Sequence, residues 1–168
     1  MKVTLGRRGD YAVRAMLNVA RHSPDRRKAR QIVAEMDLPA RYTTQILGKL
    51  VNAGLLEAQA GPDGGYTLGR PADEISMLDV VELAEGPVTL DECTLRGGPC
   101  DWVASCPLHE PWAEAQTAFT DRLRRTTFFD LAAADAAIET SEQHPGEAQH
   151  RIPVERRGVR PAGDHPAE

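Results

Sequence analysis

Residues 28–69 read KARQIVAEMDLPARYTTQILGKLVNAGLLEAQAGPDGGYTLG, and this stretch decides the fold. Segment 28–36 places Ala29, Ile32, Val33 and Met36 on one helical face and stops at Asp37-Leu38-Pro39. Segment 40–53 places Ile46, Leu47, Leu50 and Val51 on one face. Gly54 follows, where a helix C-terminus favours glycine. A turn of about four residues therefore joins the two helices, which is helix-turn-helix spacing. Two extended runs come next, Leu55–Ala60 and Tyr66–Gly69. Between them, Gly61-Pro62-Asp63-Gly64-Gly65 carries the residue types that a tight hairpin demands. A hairpin directly after a helix-turn-helix is a wing.

Upstream, segment 8–21 carries Ala12, Val13, Met16, Val19 and Ala20 at helical spacing, ended by His22-Ser23-Pro24-Asp25. Downstream, Ser76 caps a further helix with Asp79 in a capping-box position, and Gly86-Pro87 stops it. Residues 87–105 show no period. Segment 108–126 reads as a long helix whose regular part starts near His109 or Glu110, because Pro111 fits only a first turn. Its stripe of Leu108, Trp112, Ala115, Phe119 and Leu123 is a candidate dimerisation face. A short Ala-rich helix is expected from Asp130 to Ile138. From Ser141 onward the chain is Pro-, Gly- and charge-rich, and disorder is expected. The fold class is mainly α with a small β wing: a winged helix-turn-helix plus a long dimerisation helix. Three units follow: a DNA-binding domain over 1–75, a cysteine loop with dimerisation helices over 76–138, and a disordered tail over 139–168.

With 168 residues, 41% hydrophobic and 27% charged, the chain can bury a globular core. No run of about eighteen apolar residues is present, so no membrane helix is expected. The N-terminus leads into an amphipathic segment rather than a signal-peptide apolar block, and the cytoplasm is the expected compartment. The net charge of −5 conceals an asymmetry. Residues 1–75 hold 12 Lys/Arg against 8 Asp/Glu, whereas the remainder holds 8 against 17. A basic head on an acidic body is the distribution a nucleic-acid-binding domain leaves. No nucleophile–base spacing, carboxylate pair or phosphate-binding loop points to an enzyme. The Gly61–Gly65 run joins two strands and opens no helix.

The second helix of the helix-turn-helix offers Arg41, Tyr42, Thr43, Thr44 and Gln45 in its first turns, with Lys49 one turn on. Arg and Gln suit bidentate contacts to purine edges, and the Thr methyl suits thymine. Ile46, Leu47 and Leu50 face inward. Arg7, Arg8, Arg27, Lys28 and Arg30 are candidate phosphate contacts, adding affinity without sequence preference. Cys93, Cys100 and Cys106 are spaced C-x6-C-x5-C. An odd count without a secretion signal fits metal or redox chemistry better than a disulfide frame. Thiolates suit iron–sulfur clusters and zinc alike, and reactive free thiols are a further reading. The common clusters take four cysteines, so a cluster here needs a non-cysteine ligand or an open position. His109, three residues after Cys106, could reach the same metal.

Gly9-Asp10-Tyr11-Ala12-Val13-Arg14-Ala15-Met16-Leu17 resembles the opening helix of the Rrf2 family of bacterial transcription regulators. The run Gly61–Leu68 resembles that family's glycine-rich wing, and the cysteine triplet resembles the loop of its iron–sulfur members. The resemblance spans roughly residues 1–130. It implies a homodimeric winged-helix repressor or activator on a palindromic double-stranded site. It further implies a [2Fe-2S] or [4Fe-4S] cluster that senses iron–sulfur status, nitric oxide or redox state. A histidine at the place of His109 ligates a [2Fe-2S] cluster in the cluster-assembly members. An aspartate at the place of Asp10 ligates a [4Fe-4S] cluster across the dimer in a nitric-oxide-sensing relative. The interval between the first two cysteines is one residue longer here than in either. Many relatives also carry an arginine where this chain has Ala60. Wing contact then falls to the backbone amides of Gly64 and Gly65 and to neighbours such as Gln59.

Overall fold

Helix α1 (Arg7–Arg21) is the element on which the others pack: α2, α3, α4, α6 and β2 all touch it. Its sequence explains this. Ala12, Ala15, Met16, Val19 and Ala20 are buried, and three of those five are alanines. Small side chains let helix backbones approach closely, while Met16 and Val19 fill the space between them. The computed structural model describes residues 4–88 and 105–141. Its remaining elements are α2 (Ala29–Glu35), α3 (Ala40–Asn52), β1 (Leu56–Gln59), β2 (Gly65–Leu68), a 3-10 turn (Ala72–Glu74), α4 (Met77–Glu85), α5 (His109–Arg125) and α6 (Phe128–Ser141).

The expected helix-turn-helix is present as α2 and α3. Asp37 takes a left-handed φ of 47° in the turn, a conformation aspartate tolerates better than most residues. Leu38 is then buried, and its N–H donates to the Val33 carbonyl at 3.0 Å. The wing is an antiparallel pair in register Leu56↔Leu68 through Gln59↔Gly65. Leu55 and Leu56 are buried at its root. Arg27 and Tyr66 exchange backbone hydrogen bonds of 2.9 and 2.8 Å, so the loop before α2 is stitched to β2.

Two capping boxes organise the C-terminal half. Ser76 accepts from the Asp79 amide at 3.1 Å while Asp79 accepts from the Ser76 amide at 2.9 Å. Thr127 and Asp130 repeat the arrangement at the start of α6, each amide donating at 3.1 Å to the other's side chain. The two starts are tied together: Met77 N–H donates to Thr126 at 2.8 Å and Phe128 N–H to Ile75 at 2.9 Å. The tie drives Phe128 into the core, where it is fully buried against the residues of α1. Arg21 pairs with Asp135 at 2.9 Å, fastening α6 along α1.

These contacts modify three sequence expectations. The proposed unit boundary at 75/76 falls inside one core, because Ile75, Val80 and Phe128 cluster with Ala12, Met16 and Leu47. Helix α6 begins at Phe128, earlier than expected, and runs to Ser141, into the stretch assigned to a tail. The stripe on α5 also divides. At about 100° per residue its members straddle a boundary: Leu123 is buried and α5 packs on α4, whereas Leu108 and Phe119 are 55% and 44% exposed. Cys93, Cys100 and the tail from 142 lie outside the described residues.

Phe128→Ala should therefore destabilise the fold by about 3–5 kcal/mol, the range for emptying a large core side chain. Urea unfolding followed by circular dichroism reads this. A loss under about 1 kcal/mol would mean that α6 is not part of the cooperative unit.

Candidate nucleic-acid interface and thiol segment

The outer face of α3 presents Arg41, Tyr42, Thr44, Gln45 and Lys49, all exposed. Leu47 and Leu50 are buried and Ile46 is half-buried, as the periodicity requires. Thr43 does not share the outer face. Positions 43, 47 and 50 lie on one helical stripe, so Thr43 is fully buried, its hydroxyl donating to the Pro39 carbonyl at 3.0 Å. It anchors the first turn of the helix and leaves the exposed set.

The wing glycines have packing duties. Gly64 is buried, and its N–H donates to the Gly61 carbonyl at 3.1 Å, so this amide is engaged within the turn. At Gly65, φ is +156°, and a Cβ would stand 2.8 Å from the Arg27 carbonyl oxygen. Lys28 reaches from the start of α2 to the Pro62 carbonyl at 2.5 Å, which braces the tip of the wing.

Of the five candidate phosphate contacts, Arg7, Arg8 and Arg30 are exposed. Arg27 is not: only 8% accessible, its Nε donates to Asn18 Oδ1 at 3.3 Å and its Nη2 pairs with Glu35. Asn18, itself fully buried on α1, donates to the other Glu35 oxygen at 2.7 Å. Arg27 is therefore the centre of a polar clamp joining α1, α2 and strand β2 of the wing. The pattern of residues around the Pro24 turn carries no sign of this, because the partners stand 8 and 9 residues away on two different helices. Partial burial pushes the Glu35 carboxyl upward. The hydrogen bonds from Asn18 and Arg27, with the charges of Arg27 and His22, outweigh it and hold Glu35 below its ordinary value.

Cys106 is a free, half-buried thiol one turn before α5, and the His109 N–H donates to its carbonyl at 3.1 Å. The chain thus brings these two candidate ligands into one turn. Asp10 stands on α1 with its carboxylate 2.9 Å from Arg14, whose other nitrogen donates to the Met36 carbonyl at 2.6 Å. Asp10 is therefore already engaged in orienting Arg14, which caps the C-terminus of α2 from α1. Among the described residues, no three His, Cys, Asp or Glu converge where they could hold a metal ion.

The family model described as Rrf2, iron-dependent transcriptional regulator, matches residues 5–134. The chain is 33% identical over 144 residues to the HTH-type transcriptional regulator IscR of Vibrio vulnificus, covering 85% of this chain and 84% of that protein. It is 30% identical over 145 residues to IscR of Cronobacter sakazakii, covering 86% and 88%. The solved structure of CymR, the global cysteine regulator of B. subtilis, superposes with a TM-score of 0.67 at 26% identity, covering 79% of this chain and 98% of that one. T. potens IscR superposes at 0.62 with 22% identity, covering 88% and 95%, which supports the fold alone.

The clamp makes a pH prediction. Because the folded-state carboxyl of Glu35 is held low, its stabilisation is complete above the unfolded carboxyl value and is lost as pH falls through the lower folded one. Glu35→Gln should lower stability at pH 7 and flatten the acid limb of the stability profile. An unchanged acid limb in denaturant titrations would show that the clamp contributes nothing. Half of the Glu35 side chain faces solvent, so the effect should also weaken with salt.

Proposed function

The chain belongs to the Rrf2 family of transcriptional regulators, and from that premise we propose that it reads a palindromic operator as a homodimer and carries an iron–sulfur cluster on its cysteine segment. The observation that supports the first part is the exposed face of α3. Arg41 and Gln45 offer bidentate donors and acceptors for purine edges, Thr44 a hydroxyl and a methyl, and Tyr42 and Lys49 flank them. This helix is the second of a helix-turn-helix and is followed by a braced wing, which is the geometry of major-groove entry. Arg7, Arg8 and Arg30 supply phosphate contacts without sequence content. Gln59 remains as a wing contact, since the Gly64 amide is used internally and the pairing of Gln59 with Gly65 turns the Gly65 amide toward β1.

The second part is supported by donor chemistry. Cys106 supplies a thiolate and His109 an imidazole from one turn, and Cys93 and Cys100 complete three thiols with one nitrogen ligand. Asp10 is the alternative fourth ligand, and would have to exchange its bond to Arg14 for the metal. A bound cluster supplies a redox- and nitric-oxide-reactive centre. The protein's part is to connect that segment to DNA reading: α5 packs on α4, and α4 packs on α1 and α3. A change at the start of α5 thus has a packed route to the recognition helix. The exposed Leu108, which precedes α5, and Phe119 on its outer side supply the twofold contact.

Native mass spectrometry of anaerobically purified protein tests the reading. A dimer carrying iron and sulfide is expected. Zinc alone, or a metal-free dimer with reactive thiols, overturns the cluster and leaves a zinc- or thiol-based regulator.

Fluorescence anisotropy against duplexes selected from a random pool separates the DNA roles. Gln45→Ala should cost about 1–3 kcal/mol on the selected duplex and relax preference at one position. Arg30→Gln should weaken all duplexes alike and reduce the salt slope by about 1. Equal losses from Gln45→Ala on selected and random duplexes would rule out base reading by that residue.

A further inference from the structure

A cavity of about 400 Å³ opens between the first turns of α1, the outer face of α3 and the end of α4. Arg7, Arg8 and Lys49 line it and are exposed, so the cations stand at its mouth. Leu50 is buried and Ile46 and Leu83 half-buried, so its floor is apolar. Among the described residues no carboxylate lines it. The neighbouring Glu85 is turned away onto α1, accepting the Gly9 N–H at 3.0 Å. A Cβ at Gly6 or Gly9 would stand 2.5 or 2.6 Å from that same oxygen, so the two glycines hold the carboxylate at the helix N-terminus. The cations of the cavity are thereby left for another anion.

We propose that this cavity binds an amphipathic organic anion, a monocarboxylate with a short aliphatic or aromatic body, and that its occupant competes with DNA. The volume lies at the lower end of small-molecule sites, room for on the order of ten to twenty non-hydrogen atoms and too little for a helix. An apolar floor under a cationic mouth selects a molecule with one charged end: the carboxylate meets Arg or Lys, and the hydrocarbon covers Ile46, Leu50 and Leu83. Competition follows from shared side chains. Tyr42, Gln45 and Lys49 line the cavity and also belong to the exposed face of α3. The competition rests on the DNA-reading role proposed for α3; the binding does not.

Isothermal titration with sodium octanoate, 1-octanol and inorganic phosphate tests the site. Octanoate should saturate one site per chain, with the alcohol and phosphate each at least about tenfold weaker. Leu83→Trp, which fills the cavity from α4, should abolish octanoate binding and leave DNA binding intact. Ala84→Leu serves the same purpose should the larger residue prevent folding. No saturable octanoate binding, phosphate binding as tight as octanoate, or octanoate binding undiminished in the filled variant overturns the site. In the second arm, saturating octanoate should weaken duplex affinity of the wild type at least about tenfold and that of Leu83→Trp not at all. Unchanged affinity in the wild type overturns competition. A chain that binds octanoate but no duplex overturns the role of α3 and leaves the cavity assignment standing.

Discussion

The whole described structure depends on burying α1. That helix is not the recognition helix, yet α2, α3, α4, α6 and the second strand of the wing rest on it. Its alanines set how near the other helices come, and its N-terminus is closed by Glu85 from the far end of α4. A carboxylate at that end is favoured by the helix dipole and satisfies a backbone donor that Gly6, the N-cap, has no side chain to satisfy. One helix thus receives its packing from both halves of the chain and its cap from the end of α4.

The polar clamp carries the same logic into the DNA-reading unit. Asn18 on α1, Arg27 before α2 and Glu35 at the end of α2 satisfy one another where none could be buried alone. Arg27 also bonds through its backbone to Tyr66 in the wing. Arg27 therefore ties helix-turn-helix to wing with both main chain and side chain, and Lys28 adds its bond to the Pro62 carbonyl. A charged residue near a basic surface can thus be structural, and Arg27 owes its position to Glu35 rather than to phosphate.

At the other end, α6 closes over α1 through Phe128 and the Arg21–Asp135 pair, while α5 rests on α4. Leu108, the N-cap of α5, and Phe119 on that helix stand in solvent next to the turn that holds Cys106 and His109, and α6 likewise exposes Phe129 and Ile138. The thiol segment and the outer side of α5 are neighbours by connectivity. Any event at the first is positioned to alter the second.

The sequence by itself determined the element order, the helix-turn-helix, the wing and, Thr43 apart, which side chains of α3 stay exposed. Each follows from local periodicity, turn chemistry and caps, which act within a few residues. It also set Cys106 and His109 three residues apart, a spacing that a turn brings together. The Thr127–Asp130 capping box was equally legible, as the pattern Thr127-Phe128-Phe129-Asp130, and would have set the start of α6. Only the tertiary structure decided that Thr43 turns inward, that Arg27 is clamped, that Phe128 completes the core and that Glu85 caps α1. Those outcomes depend on partners from 8 to more than 70 residues away, or on which side of a helix its neighbours cover. Local pattern records that a face exists; long-range packing chooses which groups lie against it.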